Sequence, residues 1–184
     1  MPWSKLGDLK SRSFTCGHCG HLIASSGGWG QNIGGLIYVC THCDKPTYFN
    51  AAGVPLPGVT FGESVAHLPE QVASIYDEAR RCTAASAFTA SVLLARKLLM
   101  NVAVSQGAKP GESFISYVEY LANSGFVPPN GKGWVDHIRR KGNEATHEIT
   151  VMTEADAKDL LSFAELLLKF IYEFPKRVPG SAAG

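Results

Sequence analysis

Two pairs of cysteines constrain this chain more than any other feature of its sequence. Each pair has the spacing C-x-x-C, and the pairs are Cys16 with Cys19 and Cys40 with Cys43. A pair at this spacing predicts a tight turn that aims two sulfur atoms at one ion, and Gly20 supplies the backbone freedom that such a turn needs after its second cysteine. The two pairs together are typical of a zinc site with four thiolate ligands.

Four protein ligands complete a zinc tetrahedron and leave no position for a substrate or an activated water. We therefore expect a structural metal, with iron as the alternative, because four thiolates also suit iron. His18 and His42 lie inside the two turns, and we expect them to be exposed or bonded to the backbone. Because the first fifty residues contain few apolar side chains, metal binding should supply their folding energy.

The overall composition is that of a globular protein without a strong charge. Of the 184 residues 45% are hydrophobic, which is enough for a packed core. The 17 Lys and Arg against 16 Asp and Glu create no global basic field, so contact with RNA or DNA would need a local patch. The N-terminal segment MPWSKLGDLK has no apolar stretch behind basic residues. We expect a cytoplasmic protein with no membrane partner.

The character of the sequence changes along the chain. Residues 1–49 are rich in glycine and poor in helix formers, which predicts short strands and turns in a zinc ribbon. Residues 50–66 carry two prolines and three glycines, which is typical of a linker or a surface loop. A helical domain is predicted over 67–178, and a flexible tail over 179–184.

The helical domain is predicted to contain five helices. Apolar residues recur at spacings of three and four in three segments, which indicates amphipathic helices. These residues are Leu68, Val72, Ile75, Ala79 and Cys82, then Phe88, Val92, Ala95, Leu99 and Val102, then Phe114, Tyr117, Val118 and Leu121. A fourth helix is predicted over 133–149, and a fifth from a cap at Thr153 to a stop at Pro175. Short connections favour antiparallel neighbours, so we predict a mainly α fold, an antiparallel helical bundle with a small four-cysteine zinc ribbon.

The fourth helix carries a polar cluster within the run IRRKGNEATHE. At about 100° per residue, one face is apolar and should meet the bundle. That face holds Trp134, Ile138, Ala145 and Ile149. The opposite face holds Asp136, Arg140, Asn143, Glu144 and His147. From the residues alone, we expect this polar face to be a solvated surface stabilised by pairs four residues apart, and a functional site is the alternative.

The same run resembles the I-R-x-x-G-N-x-A-x-H-E signature of the domain of unknown function 4145, a branch of the HEPN superfamily. The segment Tyr76-Asp77-Glu78-Ala79 resembles that family's Y-x-E-A at the start of its first helix. Ser86 and the segment Leu94-Ala95-Arg96-Lys97 resemble its small-residue, L-x-R second helix. The likeness covers about Leu68 to Phe174, and a zinc ribbon ahead of the domain fits it.

The resemblance implies a helical bundle and a reaction. Many HEPN domains are dimeric, metal-independent ribonucleases in which an arginine and a histidine face their counterparts across the dimer. By this resemblance the RNA 2′-OH attacks the adjacent phosphate, His147 moves the proton, Arg140 stabilises the phosphoryl oxygens, and Asn143 orients the phosphate or the imidazole. The products are a 2′,3′-cyclic phosphate and a 5′-hydroxyl.

The sequence leaves open which arginine stabilises the phosphoryl oxygens. The commonest active form of the family places an arginine five residues before the histidine, where this chain has Gly142. Arg140 fits the longest spacing of the motif. Arg139 lies closer to the family's usual arginine, but it projects about 100° away from His147 in a regular helix, so a bend at Gly142 would change the assignment. We keep both as candidates.

Two functions are consistent with these residues. The first is an endoribonuclease of a prokaryotic defence or toxin-like system. We expect this enzyme to be a homodimer that forms through the motif-bearing face, with a zinc ribbon that steers RNA or a protein partner. The alternative is a noncatalytic adaptor that binds nucleic acid or protein and uses the motif to hold a dimer or grip phosphate. Gly142 favours the adaptor, whereas Asn143 and His147 favour the enzyme.

Overall fold

A computed structural model describes residues 3, 5–31, 34–127, 131–147 and 150–177, with the backbone alone at 31, 132 and 142–147. The chain divides into two compact units, Met1–Thr60 and Phe61–Gly184. The segment 50–66, predicted as a linker, is thereby divided between the two units at Thr60. Each unit is described here by itself.

The first unit is an antiparallel sheet whose strands follow the chain order. The strands are β1 (Gly7–Thr15), β2 (Leu22–Gln31), β3 (Gly35–Val39), β4 (Pro46–Phe49) and β5 (Pro55–Leu56). Three of the glycines in the range 1–49, for which strands and turns were predicted, lie in β2: Gly27, Gly28 and Gly30. There, a Cβ at Gly28 would lie 2.0 Å from the carbonyl oxygen of Ile37, so the close approach of β2 and β3 requires glycine.

The core of the sheet unit is small and aromatic. The ring of Phe14 meets that of Phe49 edge-on at 5.1 Å, and the ring of Tyr38 meets Phe49 edge-on at 5.7 Å. The buried cysteines Cys16 and Cys40 complete this cluster. A core with so few apolar side chains is typical of small units that a bound metal stabilises.

The second unit contains the predicted helices. They are α1 (Glu70–Ala84), α2 (Phe88–Ser105), α3 (Phe114–Asn123), α4 (Lys132–His147) and α5 (Glu154–Leu168). Helix α2 packs against each of the other four, which explains its apolar sequence. Within the part of the chain that the structure describes, α2 is the one helix long and apolar enough to cross a membrane by length and composition, and its buried residues belong to the core of this unit.

The buried face of α1 differs from the predicted stripe. Ile75 and Cys82 are half-buried, whereas their neighbours Tyr76 and Thr83 are buried. Both hydroxyls are hydrogen-bonded, so their burial leaves no polar group without a partner. In α3, by contrast, the residues predicted as core are the ones buried: Phe114, Tyr117, Val118 and Leu121.

Helix α5 begins as predicted and ends differently. Thr153 caps it through a capping box with Asp156. The predicted stop at Pro175 is wrong, because α5 continues through a π-helical turn, Lys169–Glu173, into a short helix α6, Phe174–Arg177. Pro175 comes two residues after this π-helical turn, whose altered hydrogen-bond register lies where the proline lacks an N–H.

Candidate functional site

Two turns of the sheet unit hold the cysteines and share one hydrogen-bond pattern. In the first turn the amide of Gly20 donates to the carbonyl of Cys16 at 2.8 Å. In the second the amide of Asp44 donates to the carbonyl of Cys40 at 3.0 Å. Gly20 has a φ of 73° and Asp44 a φ of 57°, so both occupy the left-handed region, which glycine adopts without strain and aspartate tolerates. The conformation predicted for Gly20 is confirmed.

The four sulfur atoms have the separations of a tetrahedral metal site. Cys16 Sγ lies 3.8 Å from Cys43 Sγ, and Cys19 Sγ lies 3.8 Å from Cys40 Sγ. All four sulfurs lie within 4.8 Å of one another. An ion with metal–sulfur bonds of about 2.3 Å holds tetrahedral ligands about 3.8 Å apart. The cysteines therefore fit one four-coordinate metal ion and leave no ligand position open, as predicted for a structural site.

The cysteines differ in how readily they ionise. Burial raises the pKa of the Cys43 thiol to about 12. Burial also opposes ionisation of Cys40, but hydrogen bonds from the amides of Cys43 and His42 to its sulfur outweigh that effect and lower its pKa to about 7. A metal that binds the cluster must displace a proton from each thiol that is not yet ionised.

The histidines of the turns are exposed, as expected. His18 Nε2 lies 3.0 Å from the carbonyl oxygen of Pro46. The ring of His42 stacks on that of His21, with 3.6 Å between their centroids. Cys19, His21 and His42 also place ligand atoms within 4.8 Å of one another, but the two imidazoles lie nearly parallel, whereas one ion would need both nitrogen lone pairs to converge on it.

Three consecutive basic residues of α4 point in three directions. Arg139 Nη2 lies 2.9 Å from Glu119 Oε1 on α3, and Lys141 Nζ lies 3.0 Å from Asp156 Oδ1 at the start of α5. Arg140 lies between them on the helix and is exposed. The flanking cations therefore join α4 to its neighbours, and Arg140 faces solvent.

The partners of Arg139 and Arg140 indicate which of these arginines belongs to the predicted catalytic face. Helix α4 includes Gly142 without interruption and extends to His147. In such a helix Arg140 and His147 lie about 20° apart around the axis, on one face. Asn143 and His147 belong to α4, but their side chains lie outside the described residues, so their contacts are not assigned. Of the four predicted catalytic residues, the structure describes the side chains of Arg139 and Arg140 and separates them.

Two further residues accompany Arg140. Its Nη2 lies 3.2 Å from Nδ1 of His137, and His137 Nε2 lies 2.9 Å from Asp159 Oδ2 on α5. Neither His137 nor Asp159 was predicted to have a role. The spacing of three residues between His137 and Arg140 was a signal for contact within a helix. Nothing local connects Asp159 to them, because it lies on another helix.

Arg96, the arginine of the L-x-R segment in α2, lies at the edge of the bundle. Its guanidinium lies 4.5 Å from the centroid of the Phe114 ring, at the start of α3. Burial lowers the pKa of this guanidinium from its usual value. The arginine thus covers apolar surface with its stem and stacks its charged end on an aromatic ring.

Comparison with known proteins identifies one family. The model of a domain of unknown function, DUF4145, matches residues 77–182, which is more than half of the chain. The match includes the polar face of α4 and excludes the four cysteines. No curated protein and no solved structure matches the chain.

Proposed function

We propose that this chain, which belongs to the family of the domain of unknown function DUF4145, is a metal-independent endoribonuclease whose helical unit has the HEPN fold. The observation that carries the proposal is the separation of the two arginines. Because Glu119 on α3 binds Arg139, the exposed Arg140 is left on the face of α4 where helical periodicity also places His147. An arginine and a histidine on one exposed helix face suit phosphate binding and proton transfer.

The proposed reaction assigns one task to each residue. His147 accepts the proton of the RNA 2′-OH as its oxygen attacks the adjacent phosphorus, and the bond from phosphorus to the 5′ oxygen breaks. Arg140 stabilises the charge that develops on the phosphoryl oxygens, and Asn143 orients the phosphate or the imidazole. The 5′ oxygen takes up a proton, which leaves a 2′,3′-cyclic phosphate and a 5′-hydroxyl.

The test is cleavage of mixed RNA by the purified full chain and by His147→Ala. The buffer contains EDTA at a concentration that leaves the bound metal in place, as verified by elemental analysis. We expect slow cleavage by the wild type and a loss of about 10²–10⁴-fold in His147→Ala, because that variant lacks the proton-transfer group. His67→Ala is the matched control, since His67 is an exposed histidine outside α4. Undiminished cleavage in His147→Ala, or none in the wild type, would contradict the proposal.

We further propose that the enzyme is a homodimer in which the motif-bearing faces of two copies meet. A polar face opposite the core gains most when two copies surround one substrate. Light scattering at several protein concentrations tests this, and a monomer throughout would remove the composite site. A cytoplasmic role in prokaryotic defence or a toxin-like system predicts that induced expression slows bacterial growth and that His147→Ala does not.

For the four-cysteine cluster we propose zinc. Sulfur separations of 3.8 Å match the zinc–thiolate geometry, and a redox-inactive ion suits a site with no open position. Elemental analysis should find about one equivalent of zinc per chain. Iron in its place would give a coloured protein and would contradict this choice.

A noncatalytic adaptor is the second candidate, and one observation in the sheet unit favours it. Tyr48 of β4 and Leu56 of β5 are paired in register, and both are exposed large side chains. Adjacent exposed apolar groups of this kind favour a protein partner. An adaptor predicts that Arg140→Ala and His147→Ala both weaken association with nucleic acid, and that neither changes cleavage above background.

A further inference from the structure

Three side chains form a hydrogen-bonded series along the exposed side of α4. Arg140 Nη2 lies 3.2 Å from His137 Nδ1, and His137 Nε2 lies 2.9 Å from Asp159 Oδ2. Arg140 and His137 belong to α4, and Asp159 belongs to α5. The series therefore links the position of the Arg140 side chain to a second helix.

The chemistry of the three groups determines the direction of each hydrogen bond. A guanidinium has donors and no acceptor, so Nδ1 of His137 must accept from Arg140. The neutral imidazole then carries its proton on Nε2, where it donates to the carboxylate of Asp159. Asp159 thus favours the tautomer that Arg140 requires.

We propose that His137 and Asp159 are positioning residues, which hold the guanidinium of Arg140 ready to receive a phosphate of bound RNA. The inference rests on the proposed function in one respect, namely that Arg140 contacts phosphate. Holding an arginine in place before binding reduces the side-chain entropy that is lost when a phosphate binds. A guanidinium has five N–H donors, so one bond to His137 is compatible with a bidentate contact to phosphate.

The basic residues on either side of Arg140 have partners of a different kind. Arg139 and Lys141 are bound by the carboxylates of Glu119 and Asp156, which would compete with a phosphate for each cation. Among the described side chains, the partner of Arg140 is an imidazole. An imidazole nitrogen that accepts a hydrogen bond orients a guanidinium and, unlike a carboxylate, does not replace the phosphate as its anionic partner.

A matched pair of substitutions tests this arrangement. In His137→Asn the amide oxygen lies near the position of Nδ1, where it still accepts from Arg140. In His137→Gln the amide lies near the position of Nε2, where it reaches Asp159 and no longer holds Arg140. We expect His137→Asn to bind a non-cleavable 2′-O-methyl RNA like the wild type, and His137→Gln to bind it about fivefold more weakly. The kcat for cleavable RNA should follow the same order, and Arg140→Ala should have the lowest kcat of the three variants.

A purely structural role for His137 would give two variants that fall together in affinity and kcat, and that result would overturn the inference. The ¹⁵N NMR signals of the His137 ring supply a readout independent of cleavage. We expect the Nε2-protonated tautomer in the full chain and loss of that preference in Asp159→Ala. A Nδ1-protonated ring in the wild type would also overturn the inference, even if the wild type cleaved RNA. Conversely, a wild type without cleavage that kept the tautomer and the order of affinities would refute the ribonuclease and support the positioning.

Discussion

Arg139 Nη2 lies 2.9 Å from Glu119 Oε1, and this ion pair joins α4 to α3. A second nitrogen of the same guanidinium, Nη1, lies 3.2 Å from Asp136 Oδ1. The arginine that lies closer in sequence to the family's usual arginine thus connects two helices, and its neighbour Arg140 is exposed. The two residues should therefore respond differently to substitution.

We expect Arg139→Ala to lower the free energy of unfolding of the helical unit by about 1–2 kcal/mol. The ion pair itself contributes at most about 1 kcal/mol, because both side chains are partly exposed, and the packing of the arginine stem adds the rest. Arg140→Ala should change the free energy by less than about 0.5 kcal/mol, as expected for an exposed side chain. Urea denaturation followed by circular dichroism at 222 nm measures both changes in the free energy of unfolding. Equal effects of the two substitutions would contradict the assignment of Arg139 as the arginine that joins two helices.

The cysteines provide a second matched pair. Cys40→Ser should lose the bound metal and the fold of the sheet unit, because Cys40 is one of the four ligands and is buried. Cys82→Ser should keep about one equivalent of metal, since Cys82 lies on α1 of the helical unit and is not one of the four clustered cysteines. The helical signal at 222 nm should remain in both variants. Elemental analysis follows the metal of the sheet unit, and retention of metal by Cys40→Ser would contradict a metal site at the four cysteines.

The parts of the structure that could be predicted depend on residues close together in the sequence. The C-x-x-C spacing predicted the two turns, since each turn is a local structure, and the preference of one ion for four thiolates predicted that the two turns would meet. The cap at Thr153 follows from its spacing to Asp156, and the buried face of α3 follows from helical periodicity alone. In these cases no tertiary contact competes with the local pattern.

The parts that could not be predicted depend on distant residues. Tyr76 is buried in place of Ile75 because its hydroxyl reaches the carbonyl oxygen of Glu63, outside the helix. Likewise, the contact of His137 with Asp159 joins two helices, so no spacing within α4 indicates it. Polar residues enter a core where tertiary structure supplies their hydrogen-bond partners, and a periodicity of apolar residues does not contain that information.

Gly62 should be intolerant of a side chain. Its φ is 76°, and a Cβ there would lie 2.8 Å from Glu165 Oε2 and 3.1 Å from the Tyr76 hydroxyl. Glu165 Oε2 also accepts the amide of Glu63 at 3.0 Å, so its displacement would break a further hydrogen bond. We expect Gly62→Ala to lower the free energy of unfolding by about 2–3 kcal/mol, from backbone strain of about 1 kcal/mol and the rest from the displaced groups.

The control for Gly62→Ala is Gly111→Ala. Gly111 has a φ of 87°, and nothing lies within 4 Å of a Cβ built there. This substitution should therefore show the backbone strain alone, about 1 kcal/mol. Urea denaturation of the two variants separates the steric cost from the conformational cost, and equal losses would show that Glu165 moves aside freely.

The stability of the helical unit should depend on pH through the carboxyl group of Asp156. Asp156 Oδ2 accepts the amide of Thr153 at 2.9 Å and its hydroxyl at 2.7 Å, and Asp156 Oδ1 lies 3.0 Å from Lys141 Nζ. Burial alone would raise the pKa of Asp156, but these contacts outweigh it and hold the pKa below its ordinary value. A carboxyl whose pKa is lowered by folding stabilises the folded state above the unfolded pKa of about 3.9 and loses that contribution as the pH falls through the folded value.

Asp156→Asn should therefore destabilise the helical unit by about 1 kcal/mol at pH 7, because it loses the charge that binds Lys141 and part of the cap at Thr153. The difference in the free energy of unfolding between the wild type and Asp156→Asn should narrow as the pH falls below about 4, because the carboxyl of the unfolded chain then takes up a proton while the folded carboxylate stays ionised until its lower pKa is reached. Glu154→Gln is the control in the same helical turn, where Glu154 makes an exposed ion pair with Lys158. Urea denaturation at 222 nm follows the helical unit even where acid releases the metal of the sheet unit. A difference in the free energy of unfolding between the wild type and Asp156→Asn that stayed constant from pH 7 to pH 3 would contradict a role for the charge of Asp156. The side chain would then support the cap only as a hydrogen-bond acceptor that needs no charge.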